Sequence, residues 1–214
     1  MSWTVKTLIL PLVLLCLWRQ TQACTCPPVH PQEAFCKADV VLRAVVGEVK
    51  ADVKGAAPVM YRIQHIATLK GLEKKFGAIY TAVSSAACGV TLTKDVEYLF
   101  MGRVLGDGKL YISLCDFFQP WAALSATQKN LLQRYYMGCD CKIQLCYTIH
   151  CGISDPKACW WTDFHPLMMM SKGNQARNFA CLKRSDGSCV WQQGAVVFRD
   201  STDDNDDDDD DDNE

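Results

Sequence analysis

The sequence predicts a mainly β protein with helices, held by disulfides and followed by a smaller cysteine-dense unit. Three observations carry this. Five short runs rich in Val, Ile, Leu, Tyr and Phe are separated by clusters of Gly, Lys, Asp and Ser, the punctuation expected between strands. One helix-starting pattern follows the last of these runs. Twelve of the 13 cysteines lie between Cys24 and Cys189. An even, dense set in a secreted chain reads as a disulfide framework rather than as thiol chemistry.

The elements follow in order. Residues 1–23 read as a secretory signal peptide: Lys6, then an apolar run from Leu8 to Leu17 too short to span a bilayer, then Ala23 before the expected cut. Cleavage there removes Cys16 and makes Cys24 the first residue. Asp39 to Val49 predicts a buried strand, and Val59 to Leu69 its partner across a polar loop from Lys50 to Pro58. Gly71 to Gly77 is a charged connection. Ala78 to Ser84 predicts a third strand and Glu97 to Leu105 a fourth. Gly106-Asp107-Gly108 is a hairpin turn signal. Beyond it Leu110, Ile112 and Leu114 alternate with Tyr111 and Ser113 as a fifth strand. Ser125-Ala126-Thr127-Gln128 is a capping box, and Leu131, Leu132, Tyr135 and Tyr136 are expected on the helix face that packs on the strands.

From Asp140 to Phe198 the chain is too short to rely on a core alone. Trp160, Trp161, Phe164 and Trp191 are expected to supply what core it has. Pro166 to Met170 reads as a local core filler or, alternatively, as an adaptable partner surface. Residues 201–214 are expected to be disordered by composition.

Charge is uneven. Without Lys6 and Arg19 the basic residues number 20 against 24 acidic. Ten of the acidic residues lie from Asp203 onward, so the body from Cys24 to Thr202 is basic, 20 against 14. A basic body with an acidic tail either folds back on itself or meets a basic partner. No basic run suggests nucleic acid, and no second apolar segment reaches membrane-spanning length. His30, His65, His150 and His165 are the four histidines, none in H-E-x-x-H, and neither G-x-S-x-G nor a phosphate loop occurs. The chain is therefore not expected to be an enzyme. Cys139-x-Cys141 and Cys146-x4-Cys151 lack the paired spacing of a zinc ribbon. No Asn-x-Ser/Thr acceptor is present.

The stretch with chemistry is Cys24-Thr25-Cys26-Pro27-Pro28-Val29-His30-Pro31-Gln32-Glu33-Ala34-Phe35-Cys36. An α-amine titrates at roughly 7.7 to 8.0, so a fraction is neutral near neutral pH. Amine nitrogen and carbonyl oxygen of one residue form a five-membered chelate for a divalent metal. Catalytic zinc keeps one coordination position open, which such a terminus could fill. Spacing alone favours the plainer reading of Cys24 as a terminal staple. His30, between Val29 and Pro31, reads as a structural hydrogen-bonding residue.

C-x-C followed by Pro-Val-His-Pro-Gln-x-Ala-Phe-Cys, directly after a leader, resembles the start of the tissue inhibitors of metalloproteinases. The resemblance continues through Ala38-Asp39-Val40-Val41, Ile79-Tyr80-Thr81-Ala82, Cys88-Gly89-Val90, Leu114-Cys115-Asp116-Phe117, Met137-Gly138-Cys139 and Lys183-Arg184-Ser185-Asp186-Gly187-Ser188-Cys189. It implies a five-stranded OB-fold (netrin-like) barrel over residues 24–139 and a small disulfide-rich C-terminal domain over 140–200, ahead of the tail at 201–214. It implies the pairs Cys24–Cys88, Cys26–Cys115, Cys36–Cys139, Cys141–Cys189, Cys146–Cys151 and Cys159–Cys181. None of these crosses the boundary after Cys139, so two separately stapled domains are expected.

The same resemblance implies a function. The Cys24 amine and carbonyl would chelate the catalytic zinc of a matrix metalloproteinase and displace its water. That zinc belongs to the target, and the chain needs no cofactor of its own. Thr25 would project towards the primary specificity pocket, with Cys26, Pro27 and Pro28 along the cleft. Ser85, Ala86 and Ala87 would complete the ridge, and Lys37 would touch the rim. The second domain and tail would hold progelatinase A by its hemopexin-like domain. A secreted, extracellular monomer is expected. Three departures stand out: Pro27 where Ser, Val or Ala is common, a short first hairpin, and a far more acidic tail. The rival readings are a netrin-like module that binds matrix or a receptor without inhibiting anything, and a secreted signalling ligand acting through the second domain. Neither needs a free Cys24 terminus.

Overall fold

The computed structural model describes residues 24–51, 57–71, 74–146, 151–152, 155–163 and 173–194. The expectations for the leader, for His150, Phe164 and His165, for Pro166 to Met170 and for the acidic tail fall outside them.

The first element is a short helix, α1 (Pro31–Lys37), opened by His30, whose side chain accepts a hydrogen bond from the Gln32 backbone N–H. Pro31 suits the first helical position because its missing N–H would have no partner there anyway. Strands β1 (Val40–Lys50), β2 (Val59–Lys70), β3 (Ala78–Thr81), β4 (Glu97–Val104) and β5 (Leu110–Tyr111) follow. They pair in the order β1-β2-β3-β5-β4, and an additional β1–β4 pairing closes the sheet into a five-stranded barrel. Closure removes the free edges that a small open sheet would expose.

Alternation sorts β1 between two cores. Val40, Leu42, Ala44 and Val46 point into the barrel, with Ile63, Ile79, Phe100, Leu110 and Ile112. Val41 points outward but is equally buried, against Phe35, Leu99, Met101, Leu131 and Tyr135. Cover on both faces over Val40, Val41 and Leu42 explains why the start of this strand reads as an apolar run, whereas from Arg43 onward the burial alternates.

Three expectations need correction. The fifth strand ends at Tyr111, and Leu114 is 38% exposed. The Asp116 carboxylate accepts from the Ser113 N–H and hydroxyl, which bends the chain into a turn before Leu114 can join the ladder. A sixth strand, β6 (Phe117–Pro120), lies on the outer side of β4 and was not foreseen. The capping box at Ser125 is present, but the helix it opens, α2 (Ala126–Leu131), is short. The chain then tightens into a 3-10 turn, Tyr135–Gly138, which buries Tyr135 and turns Tyr136 out to 66% exposure. Three residues per turn cannot keep both tyrosines on one face.

The C-terminal half holds two small sheets, parallel β7 (Lys142–Leu145) with β8 (Ala158–Trp161) and antiparallel β9 (Phe179–Lys183) with β10 (Cys189–Gln193), and a one-turn helix, α3 (Asn174–Asn178). No disulfide described crosses from residues 24–139 to the remainder. Packing does cross. Ala180 and Leu182 of β9 belong to the same buried cluster as Phe35, Leu131 and Tyr135. Trp161 and Trp191, expected to supply the core of their own half, also close on the His30 ring at centroid distances of 5.2 and 5.1 Å.

Candidate functional site

Residues 24–30 run without regular secondary structure into the first helix. Cys24 and Cys26 are half-buried, whereas Thr25 and Pro27 are exposed. Disulfides to Cys88 and Cys115, each with a Cα separation of 5.0 Å, pin the two cysteines to the body. Side chains two apart in an extended chain share one face, so pinning Cys24 and Cys26 inward turns Thr25 and Pro27 outward. Pro28 and Val29 then lead half-buried to His30, which is fully enclosed. A ridge with a fixed root results.

The second piece of the ridge is held just as locally. Ser85–Ala87 forms an exposed 3-10 turn whose entry is capped by the Ser84 hydroxyl, 3.3 Å from the Ala87 N–H it accepts. Cys88 ends the turn in the left-handed region at φ 65°, a conformation uncommon for a residue with a Cβ. Gly89 has no room for one: a Cβ there would lie 2.2 Å from the Ala82 carbonyl oxygen. The Leu114 N–H donates to the Cys88 carbonyl at 2.9 Å, so the turn before Cys115 and the turn at Ser85–Ala87 brace each other. The structure thus brings Cys24, Thr25, Cys26 and the Ser85–Ala87 turn to one node. Lys37 lies apart from that node but on its side, lining a groove with Val29, Arg103 and Cys115. Its ammonium pairs with Glu33 one helical turn back, at 2.6 Å, and the side chain is 68% exposed.

Three supporting residues escaped the sequence reading. Lys70, the last residue of β2, donates to the carbonyls of Phe35, Cys36 and Ala38 at 2.7 to 2.8 Å, satisfying the orphan acceptors at the end of α1. Burial lowers its pKa, and Asp39 opposes the shift. Gln32 is buried and pairs with Cys181 of β9 as a strand would: its side-chain oxygen accepts from the Cys181 N–H and its amide donates to the Cys181 carbonyl, both at 2.7 Å. Gly138 leaves room for that pair. Gln32 and Gly138 stand in motifs that carry the family resemblance, but nothing local assigns them this role, since a lone Lys ending an apolar run and a Gln after Pro31 look like surface residues.

His30 has no exposed surface, and burial depresses its pKa to about 4, with the Gln175 backbone and Asp163 pulling weakly the other way. Unfolded, the ring takes a proton near its ordinary 6.5; folded, it refuses one until about pH 4. The contribution is complete above pH 6.5 and is lost as pH falls from there to about 4, by roughly 3 kcal/mol in all. Urea denaturation at pH 7 and 4.5 should show this loss, and the variant His30→Asn, which keeps a capping side chain without titrating, should lose markedly less between the two.

Chemically, the site offers backbone rather than thiol donors. The sulfurs of Cys24, Cys26 and Cys115 gather within 4.8 Å of one another, as do those of Cys141, Cys181 and Cys189. Each of these cysteines is committed to a disulfide. At Cys24 this leaves the main-chain nitrogen and carbonyl oxygen.

The sequence pattern of a family described as tissue inhibitor of metalloproteinase matches residues 22–191. The chain is 50% identical over 197 residues to metalloproteinase inhibitor 2 of Homo sapiens, covering 86% of this chain and 88% of that protein. It is 49% identical over 211 residues to metalloproteinase inhibitor 2 of Cavia porcellus, covering 92% and 94%. The corresponding protein of Gallus gallus is 43% identical over 195 residues, covering 86% and 88%.

Proposed function

This chain belongs to the tissue inhibitor of metalloproteinase family, and from that premise we propose that it blocks matrix metalloproteinases with the ridge that begins at Cys24. Membership of this family makes it an inhibitor and not an enzyme. The observation that carries the mode of action is the pinning of Cys24 by its side chain, which leaves only backbone atoms to meet a metal. Once residues 1–23 are removed on secretion, the Cys24 amine and carbonyl chelate the catalytic zinc of the protease at the position its water would hold. Thr25 enters the pocket beside the zinc, and its short side chain suits broad inhibition. Cys26, Pro27 and Pro28 lie along the cleft, with Ser85, Ala86 and Ala87 beside them and Lys37 at the rim. Disulfides and prolines fix the backbone before binding, which lowers the ordering cost of association.

The test is titration of a matrix metalloproteinase catalytic domain with chain processed to Cys24. An equimolar end point is expected. Folded chain that leaves the protease fully active would move the assignment to a netrin-like extracellular module.

The C-terminal half and tail form the second part of the proposal. Seven consecutive acidic residues, Asp206 to Asp212, would be drawn to a basic surface on the hemopexin-like domain of progelatinase A. Steering of this kind raises the association rate and fades with salt. Deleting residues 203–214 should slow association with the proenzyme at low ionic strength; equal rates would remove the tail from the account.

A further inference from the structure

Two disulfides meet at the root of the ridge. Cys24 Sγ, bonded to Cys88, lies 3.9 Å from Cys115 Sγ and 3.8 Å from Cys26 Sγ, the two sulfurs of the neighbouring bond. Such separations are close to sulfur van der Waals contact. All four cysteines are half-buried, and Cys88 closes an exposed turn. A second close pair of bonds, Cys141–Cys189 with Cys159–Cys181, differs in one respect: Cys159 and Cys181 are enclosed, at 3% and 0% exposure.

We infer that the ridge root is a modification site for small-molecule thiols, and that the thiolate freed by the first exchange is passed on to the second bond. A dissolved thiolate attacks Cys88 Sγ. A sulfur–sulfur bond forms to Cys88, the Cys24–Cys88 bond breaks, and the electron pair leaves on Cys24 Sγ. Released from Cys88, the Cys24 side chain turns from its side-on position, nearly equidistant from both sulfurs, into line with the Cys26–Cys115 bond; the thiolate attacks Cys115 Sγ, the Cys24–Cys115 bond forms, and Cys26 leaves in its turn. The proton given up by the attacking thiol ends on Cys26. Disulfides number two before and after, one of them now carrying the added thiol. Attack at Cys26 instead would join residues two apart in an extended chain, whose Cα atoms stand roughly 7 Å apart, at the outer limit a disulfide spans.

The consequence is a re-tethered ridge. Cys24 hangs from the Ser113–Asp116 turn instead of from Cys88, and Pro27 loses the anchor at Cys26. Backbone donors that were held in place before binding are displaced, so inhibition falls. This consequence rests on the proposed function; the exchange itself does not.

The experiment treats chain processed to Cys24 with reduced glutathione in the absence of oxygen and traps free thiols with N-ethylmaleimide. Non-reducing peptide mapping, with fragmentation to place each label, then reads the result. Expected are N-ethylmaleimide on Cys26, glutathione on Cys88 and a Cys24–Cys115 link, all before any label at Cys159 or Cys181. Inhibition by the same sample should fall by at least about tenfold. Label that stays on Cys24 with Cys26–Cys115 intact overturns the transfer, and earlier opening of Cys159–Cys181 overturns the ridge root as the site of modification. A Cys24–Cys115 link with undiminished inhibition overturns the regulatory consequence. Untreated chain that fails to inhibit defeats the proposed function instead, and the map still decides the exchange.

Discussion

Replacing both Cys24 and Cys88 by serine is expected to weaken inhibition of a matrix metalloproteinase catalytic domain by about 100-fold or more, roughly 2.7 kcal/mol. The paired substitution matters. Changing Cys88 alone would leave a Cys24 thiol 3.9 Å from Cys115 Sγ, ready for exchange and able to compete for zinc. Cys24→Ser with Cys88→Ser keeps the amine and carbonyl proposed to chelate and removes only the bond that fixes them. What is lost is preorganisation of the terminus and of its contact with the Ser85–Ala87 turn. The barrel keeps its closure through the β1–β4 pairing and retains the Cys26–Cys115 and Cys36–Cys139 bonds. Loss of one native disulfide costs roughly 2 to 5 kcal/mol of stability, so the variant should melt lower and still fold. Folded variant that inhibits as tightly as the parent would show that the bond does not position the ridge.

Gly138→Ala is expected to cost stability heavily for a single added methyl group, roughly 3 kcal/mol or more. A Cβ at this position would stand 1.9 Å from the Cys181 carbonyl oxygen and 2.2 Å from the Gln32 side-chain nitrogen. The first of these is backbone, fixed by the β9–β10 ladder and by the Cys159–Cys181 bond, and cannot swing away. The chain must then separate β9 from the Tyr135–Gly138 turn, breaking both hydrogen bonds of the Gln32–Cys181 pair. Each buried group left without a partner costs roughly 1 to 3 kcal/mol. Denaturation with disulfides intact reads the loss. The ridge itself remains anchored by its two bonds, so inhibition per folded molecule should change far less than stability. A variant as stable as the parent would mean that the turn moves freely against β9, against the packing described.

How much of this was legible in the sequence differs from residue to residue. The barrel strands were, because β-branched and apolar runs between Gly and Asp clusters report burial locally. β6 was not: Phe117 to Pro120 is four residues ended by a proline, and its strand character exists only through pairing with β4. Tyr136 was misplaced because a 3.6-residue period was extended through a stretch that tightens into a 3-10 turn. At the site, the outward Thr25 was supplied by the family resemblance, and the physical reason, two cysteines at i and i+2 pinned to the body, emerges only once their disulfides are placed. The neighbourhood of Ser85–Ala87 depends on a disulfide over a separation of 64 residues, which spacing cannot decide and which the family resemblance supplied. Gln32 and Lys70 act on backbone atoms of distant segments, and no local pattern announces such contacts. The shared core across residue 139 was invisible for the same reason. Disulfides suggested separation where side-chain packing joins the halves.

The central claim is that the freed backbone of Cys24 is the inhibitory group, and its most direct test changes nothing but the terminus. A matrix metalloproteinase catalytic domain is titrated with chain beginning at Cys24 and, in parallel, with chain carrying one additional alanine before it. The account predicts equimolar inhibition by the first. For the second it predicts a loss of at least about 100-fold, with unchanged circular dichroism and melting temperature, because a peptide nitrogen has no lone pair to give a metal. Equal inhibition by the extended chain would contradict chelation by Cys24 and leave the ridge as a steric plug.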